Sequence, residues 1–215
     1  MPIPSIRTFS VHVCGTLLLA LSLGRLGPAQ GNSENDSKQA ANVQRIAQDV
    51  YKSLVTLPQY GVFDHLHFAL QGNTVILRGE ASRPTLKSSA ENVVKRINGV
   101  EAVKNEIEVL PLSPNDDRIR AAAYVQIYSA PNLNRYTSNR GGGRWMSPTR
   151  RAMGITNDPP IGWHAIHIIV KNGNLRLVGV VDNSTDLAVA EMRARMLPGV
   201  FSVDNDLIVS REESK

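Results

Sequence analysis

Val75-Ile-Leu-Arg-Gly79, and then Gly99-Val-Glu-Ala-Val-Lys-Asn105-Glu-Ile-Glu-Val109, decide the fold, because both stretches return 100 positions later. Leu77 falls on Leu177, Gly79 on Gly179, and Ala90-Glu91 on Ala190-Glu191. Gly99-Val100 falls on Gly199-Val200, Val103 on Val203, Asn105 on Asn205 and Val109 on Val209, while His67 coincides with His167. A repeat that holds one register this long means two copies of a single folding unit.

Each copy reads as helix, strand, strand, helix, strand. Val43, Ile46, Ala47, Val50, Leu54 and Leu57 recur at three- and four-residue steps and predict an amphipathic helix that Pro58 ends. The period then drops to two: Leu66, Phe68 and Leu70 point one way, His65, His67 and Ala69 the other. Gln71-Gly72-Asn73 turns the chain into a second strand. Pro84 suits the first turn of the next helix, with Leu86, Ala90, Val93, Val94 and Ile97 as its apolar stripe and Asn98-Gly99 as its stop. Val103, Ile107 and Val109 make the third strand, interrupted at Asn105 and Glu106. A strand-helix-strand crossover is right-handed and makes the last strand parallel to the second. The predicted fold class is therefore α+β, an α-β sandwich of two tandem αββαβ domains. Each is a three-stranded mixed sheet with two helices on one face and the other face open to solvent.

The copies span 42–110 and 115–210, joined by Pro111-Leu-Ser-Pro114. Asn115-Asp116-Asp117 is expected to cap the second copy's first helix, whose apolar face is Ile119, Ala122, Ala123 and Ile127. Ile119 and Tyr124 match Ile46 and Tyr51 at an offset of 73, which places an insertion at about 134–160, before the second hairpin. That hairpin turns at Lys171-Asn-Gly-Asn174. Asp182-Asn-Ser-Thr185 caps the helix that follows, and Arg211-Glu-Glu-Ser-Lys215 is a solvated tail.

The first thirty residues read differently. Val11 to Leu23 is almost wholly apolar, Arg7 is the early charge, and Gly27-Pro28-Ala29 supplies small residues for cleavage, so 1–29 is expected to be a secretory signal peptide. An uncleaved anchor is the alternative, although the run is short for a membrane span. Cleavage removes Arg7 and Arg25 and no acid, lowering the formal charge from +5 to +3. It also removes Cys14, the single cysteine, so the mature chain has no disulfide or thiol chemistry. Val13 is bulky for a lipoprotein signal around Cys14. Residues 30–41 are polar and are expected to form a flexible leader. The expected destination is the periplasm or envelope.

The two motifs, Gly72-Asn-Thr-Val-Ile-Leu-Arg-Gly79 with Asn98-Gly99-Val100-x-x-Val103-x-Asn105-x-Ile107-x-Val109, and Asn174-Leu-Arg-Leu-Val-Gly179 with Pro198-Gly199-Val200-x-x-Val203-x-Asn205-x-Leu207-x-Val209, resemble the BON domain (bacterial OsmY and nodulation). The resemblance covers nearly all of the chain after residue 41 and implies the same helix-strand-strand-helix-strand order. It also implies export to a bacterial envelope, phospholipid or envelope association, a link to osmotic stress, and no catalysis. The insertion is not part of the family's pattern. The shared glycines and asparagines have fold-building explanations: Gly79 and Gly179 where a helix packs closely on a strand end, Gly99 and Gly199 as left-handed helix caps, and Asn105 and Asn205 bonding across a strand edge or loop.

Candidate binding chemistry lies mainly in the insertion. Arg135, Tyr136, Arg140, Arg144, Trp145, Arg150 and Arg151 combine guanidinium with aromatic surface, and no acid precedes Asp158. That composition suits the headgroup zone of an anionic bilayer, guanidinium on phosphate and indole at the boundary. It also suits single-stranded nucleic acid, which an exported protein seldom meets, so the expected partner is an anionic phospholipid surface and not nucleic acid. A solvated loop is the bland alternative, given Gly141-Gly-Gly143. His65 and His67 share a strand face about 7 Å apart, a spacing that can chelate a metal. No Cys, Asp or Glu in the same motif completes a site, so they read as polar residues of an exposed face. Glu91 and Glu191 recur, but on helix positions expected to be solvated. No nucleophile-base pair or phosphate-cradling motif is present, so neither enzymatic activity nor a cofactor is expected. The alternative function is a periplasmic protein-binding adaptor or chaperone-like module that uses open sheet faces, with envelope proteins as partners. A third reading is metal or tetrapyrrole capture by the histidines.

Overall fold

A computed structural model describes residues 32–138, 160 and 163–210. The first domain contains α1 (Asn32–Val55), β1 (His65–Gln71), β2 (Thr74–Ala81), α2 (Pro84–Val94), β3 (Ala102–Asn105) and β4 (Glu108–Val109). The second contains α3 (Pro114–Tyr128), a 3-10 turn at Asn134–Tyr136, β5 (Ile166–Lys171), β6 (Asn174–Val181), α4 (Ser184–Arg195) and β7 (Ser202–Val209). In each, the hairpin is antiparallel and the third strand runs parallel to the second, on its far side from the first. Phe68 opposite Leu77 and Ile168 opposite Leu177 show one register carried over at an offset of 100. The third strand of the first domain is broken between β3 and β4 at Glu106-Ile107, whereas β7 is continuous.

Two cores follow from the alternation. Val75 and Leu77 of β2 meet Ile46, Val50 and Leu54 of α1 and Leu86, Ala90 and Val94 of α2. Leu175 and Leu177 of β6 meet Ile119, Ala123 and Ile127 of α3 and Ala190 and Ala194 of α4. Val43 and Ala122, expected on apolar helix faces, are exposed. The first helix begins at Asn32, so the polar leader expected at 30–41 supplies its opening turns from that residue onward. α2 ends at Val94, short of Asn98-Gly99. Its last turn tightens into Arg96 N–H to Val93 O and Ile97 N–H to Val94 O bonds three residues apart, and Gly99 takes its left-handed φ of 94° in the turn beyond. Ser113, not the Asn115–Asp117 run, caps α3: its side chain accepts from Asp116 N–H. The Asp116 carboxylate is buried and holds the β5–β6 turn, accepting Asn172 N–H at 2.8 Å and Gly173 N–H at 2.9 Å.

The repeated asparagines and glutamates form one device. Asn105 Nδ2 donates to Lys87 O (3.0 Å) and Glu91 Oε2 (2.9 Å), and its Oδ1 accepts Ile107 N–H. Asn205 repeats this with Leu187 O, Glu191 and Leu207 N–H. Each asparagine pins the crossover helix to the third strand, and each glutamate, expected to be solvated, is the helix's side of the pin. Both glutamate carboxyls are lowered in pKa, Glu91 chiefly by its bond from Lys95 and Glu191 by that from Asn205.

Gly79 and Gly179 also have a reason other than the expected one. A Cβ on Gly79 would sit 2.0 Å from the carbonyl oxygen of His65, and one on Gly179 would sit 1.9 Å from that of Ala165. The obstacle is the backbone of the hairpin partner, not a helix.

The outer sheet faces, expected to be open, are partly closed against each other. Arg176 of β6 pairs with Glu80 of β2, and Lys171 with Glu108 at 2.6 Å. Ile76 and Ile169 lie on the outer faces by alternation, belong to neither core, and are both buried. The loop before β1 goes further. Val62 and Phe63 leave their own domain and enter the second domain's core, where Val62 O accepts the Ile168 N–H of edge strand β5 at 2.7 Å. That bond covers an edge that would otherwise be free to pair.

Candidate functional site

The inserted segment leaves and returns through a rigid base. Beyond α3, the 3-10 turn at Asn134–Tyr136 leads into Thr137, which bridges antiparallel to His164. Ala165 N–H donates to Tyr136 O at 2.8 Å and Ser138 N–H to Trp163 O at 3.0 Å. The Tyr136 hydroxyl donates to Asp186 at 2.6 Å and accepts the Asp182 backbone N–H at 2.8 Å. Arg135 completes the knot through Nη2 to the Tyr136 hydroxyl (3.0 Å) and to Asp186, and through Nε to Asp182 (3.1 Å). Asp186 is buried beneath these partners and also accepts from Asn132 at 2.9 Å and Asn183 at 3.0 Å. Burial, then the bond to Asp186, raises the Tyr136 pKa, so the phenol stays protonated and keeps its donor.

Arg135 and Tyr136, expected to meet lipid, are thus engaged within the protein: Tyr136 is buried and Arg135 is paired with two acids. The other candidates, Arg140, Arg144, Trp145, Arg150 and Arg151, lie outside the described residues. Trp163, at the returning end, is 61% exposed. In the first domain the backbone N–H matching that of Asp182 belongs to Ser82, and the buried Asp64 carboxylate accepts it at 2.6 Å. Tyr136 therefore does for the second domain what Asp64 does for the first. Tyr136→Phe removes one buried acceptor and one donor to a carboxylate. It is expected to lower the second domain's stability by about 2 kcal/mol, read as a shifted urea midpoint at unchanged slope.

The four described histidines do not converge. His65 and His67 stack, with centroids 5.1 Å apart, and His65 Nδ1 stands 3.7 Å from Glu80. His164 is buried, with Nε2 3.3 Å from the Tyr124 hydroxyl and its ring edge-on to Tyr124 and Tyr128. His167 packs on Tyr60 at 5.2 Å, with Nδ1 3.1 Å from Gly61 O and Nε2 3.4 Å from the Tyr60 hydroxyl. Burial lowers its pKa to about 4. His67 is exposed, as expected of its sheet face, whereas His164 belongs to a core and His65 and His167 are half-buried at the inter-sheet contact. Among the described residues, no three His, Cys, Asp or Glu side chains gather in a way that could hold a metal ion.

Sequence reasoning passed over Asp64, Asp186 and Phe63, and read Asp116 only as a helix cap, because each acts on a group distant in the chain. The signal that could have found Asp186 is its place three residues after Asn183, the spacing of a helix cap.

Comparison with known proteins agrees with this architecture. No curated protein matches the chain. Among solved structures it is similar to CdsD, a structural protein of the type III secretion system of Chlamydia trachomatis. The identity is 11% over 79% of this chain and 94% of that one, with a TM-score of 0.26. A second structure, the C-terminal domain of CdsD, gives 12% identity over 75% and 96% of the two chains and a TM-score of 0.24, and likeness at that level carries no argument. The BON domain model matches residues 42–111 and 155–211, more than half of the chain, and its second match begins beyond α3 and most of the insertion. The chain belongs to the BON domain family, as two tandem copies.

Proposed function

We propose that the protein is an exported, non-catalytic module that associates with a bacterial envelope, binding anionic phospholipid through the inserted segment of its second domain. The family is one associated with membrane and phospholipid binding. The observation that carries the reading is the knotted base of the insertion. Arg135 and Tyr136 tie its departing end to α4, and Ser138 ties it to the returning strand at Trp163. Arg140, Arg144, Trp145, Arg150 and Arg151 lie in sequence between these two anchored ends. Those arginines contact phosphate, and the indole enters the headgroup boundary. No helix among the described residues is long and apolar enough to cross a membrane.

Each arginine near an anionic surface contributes roughly 1 kcal/mol at low ionic strength. Replacing Arg140, Arg144, Arg150 and Arg151 by glutamine is therefore expected to weaken binding to phosphatidylglycerol vesicles by roughly a thousandfold. Co-sedimentation at low and high salt, beside a deletion of 139–155, checks this. The deletion spares Arg135 and Tyr136, so the domain stays folded. Salt-resistant binding, or equal binding to phosphatidylcholine, would count against the reading.

A protein-binding role is the second reading. It is favoured by Met192 and Met196, which stand exposed with Arg195 on the outer side of α4, and by Phe201 beyond that helix, 80% exposed. It predicts binding to an envelope protein that survives the deletion.

A further inference from the structure

The outer sheet faces meet over a region rich in imidazole and short of free acid. His167 projects from β5 against Tyr60, with His164 behind it in the same strand's approach. From β1 come His65 and His67, from β2 Arg78 and Glu80, and from β6 Arg176. Each neighbouring acid but one is already committed. Asp64 lies under the N–H groups of Ser82 and Gly61, Glu106 holds Arg78 (2.8 Å) and Lys104, and Glu108 holds Lys171. Asp206 of β7 stands 3.5 Å from Arg176. Among the described residues, Glu80 is left to face the imidazoles, and it is shared with Arg176 and His65.

We propose that this inter-sheet contact is an acid-sensitive joint, in which protonation of His167 ends its bond from Tyr60, sets a buried imidazolium against the neighbouring imidazoles of His65 and His164, and loosens one domain from the other. The geometry favours neutral rings. His167 Nδ1 faces a carbonyl and so carries the hydrogen, which leaves Nε2 to accept from the Tyr60 hydroxyl. A second proton at Nε2 ends that acceptance and buries a charge with no carboxylate in reach.

Burial is the first cause of the lowered pKa of both His167 and His67, with repulsion from His65 next. The sign follows. A depressed histidine takes up its proton more readily when released, so the docked state is fully favoured near neutrality. It loses ground as pH falls below the ordinary 6.5, and the loss levels off near the docked value of about 4.

The Ile168 N–H to Val62 O bond crosses the joint and reports on it. Leu110 N–H to Ala81 O and Ser210 N–H to Val181 O are matched bonds, one inside each domain. In the intact chain, hydrogen exchange followed by NMR and corrected for intrinsic rates is expected to show Ile168 protection falling about 30-fold between pH 7.5 and pH 5. Leu110 and Ser210 should change less than threefold. His167→Gln, whose amide can still bond Gly61 O and Tyr60, should hold the Ile168 ratio between the two pH values within about threefold. The ratio is readable even if this variant docks less tightly at neutrality. Loss of all three protections together would mean global acid unfolding and overturn the proposal. So would an Ile168 amide indifferent to acid, or a His167→Gln chain that responds as the native one does.

Discussion

Phe63→Ala is expected to destabilise the second domain by about 4 kcal/mol, although residue 63 belongs to the first by sequence. The ring is buried in the second domain's core, and it meets Tyr124 edge-on at 6.4 Å. Truncation forfeits the transfer energy of the ring and leaves a cavity. The walls of α3 and β5 cannot readily close it, because Arg120 ties α3 to Val170 O and Tyr128 ties it to Ile166 O. The first domain's core contains neither Val62 nor Phe63, so it should lose little. Native-state exchange separates the two: Ser210 protection should fall by roughly a thousandfold while Leu110 changes far less. If Leu110 fell with Ser210 by the same factor, the domains would unfold as one unit and the separate-core description would be wrong.

That asymmetry marks the boundary of what was legible in the chain. Hairpin registers and the parallel third strand follow from period-two patterning and the 100-residue repeat, because each depends on neighbours within one unit, whereas the break falls at Glu106-Ile107, with Asn105 still in β3, and has no counterpart in β7. Gly61-Val-Phe-Asp64 lies between a helix pattern and a strand pattern, so periodicity gives Val62 and Phe63 no face at all. Their partners are about 60 to 140 residues away in the second copy. The outer faces fail for a related reason. Alternation marks His65, His67 and Arg176 as pointing away from a core, and nothing in a strand's own pattern distinguishes water from another sheet beyond them. Of the insertion, composition singled out the basic and aromatic residues, yet it could not separate Arg135 and Tyr136, spent on Asp186 and Asp182, from the arginines that follow. Asp186 reads in sequence as a helix-terminal acid, and its role as the base of that knot depends on side chains some fifty residues earlier.

Gly179→Ala is the second change with a large expected effect, about 3 kcal/mol or more, and Gly79→Ala should match it in the first domain. Two costs combine at each site. The backbone has φ of 141° at Gly179 and 108° at Gly79, a region costly for any residue with a Cβ. The added carbon would also fall 1.9 Å from Ala165 O or 2.0 Å from His65 O. Ala165 O cannot simply move aside, because it accepts the Val180 N–H that holds the hairpin end. Relief requires the strands to separate where Asp182 and Ser82 begin the next turn, which strains the bonds from Tyr136 and Asp64 as well. Gly72→Ala separates the two costs: its φ is 59° and nothing lies within 4 Å of the added carbon, so conformational strain alone should cost about 1 kcal/mol. Urea unfolding of the three variants checks the order. A Gly179→Ala loss no larger than that of Gly72→Ala would mean that the hairpin end yields freely. Closeness of two strands could then no longer explain why the glycine recurs at the same place in both copies.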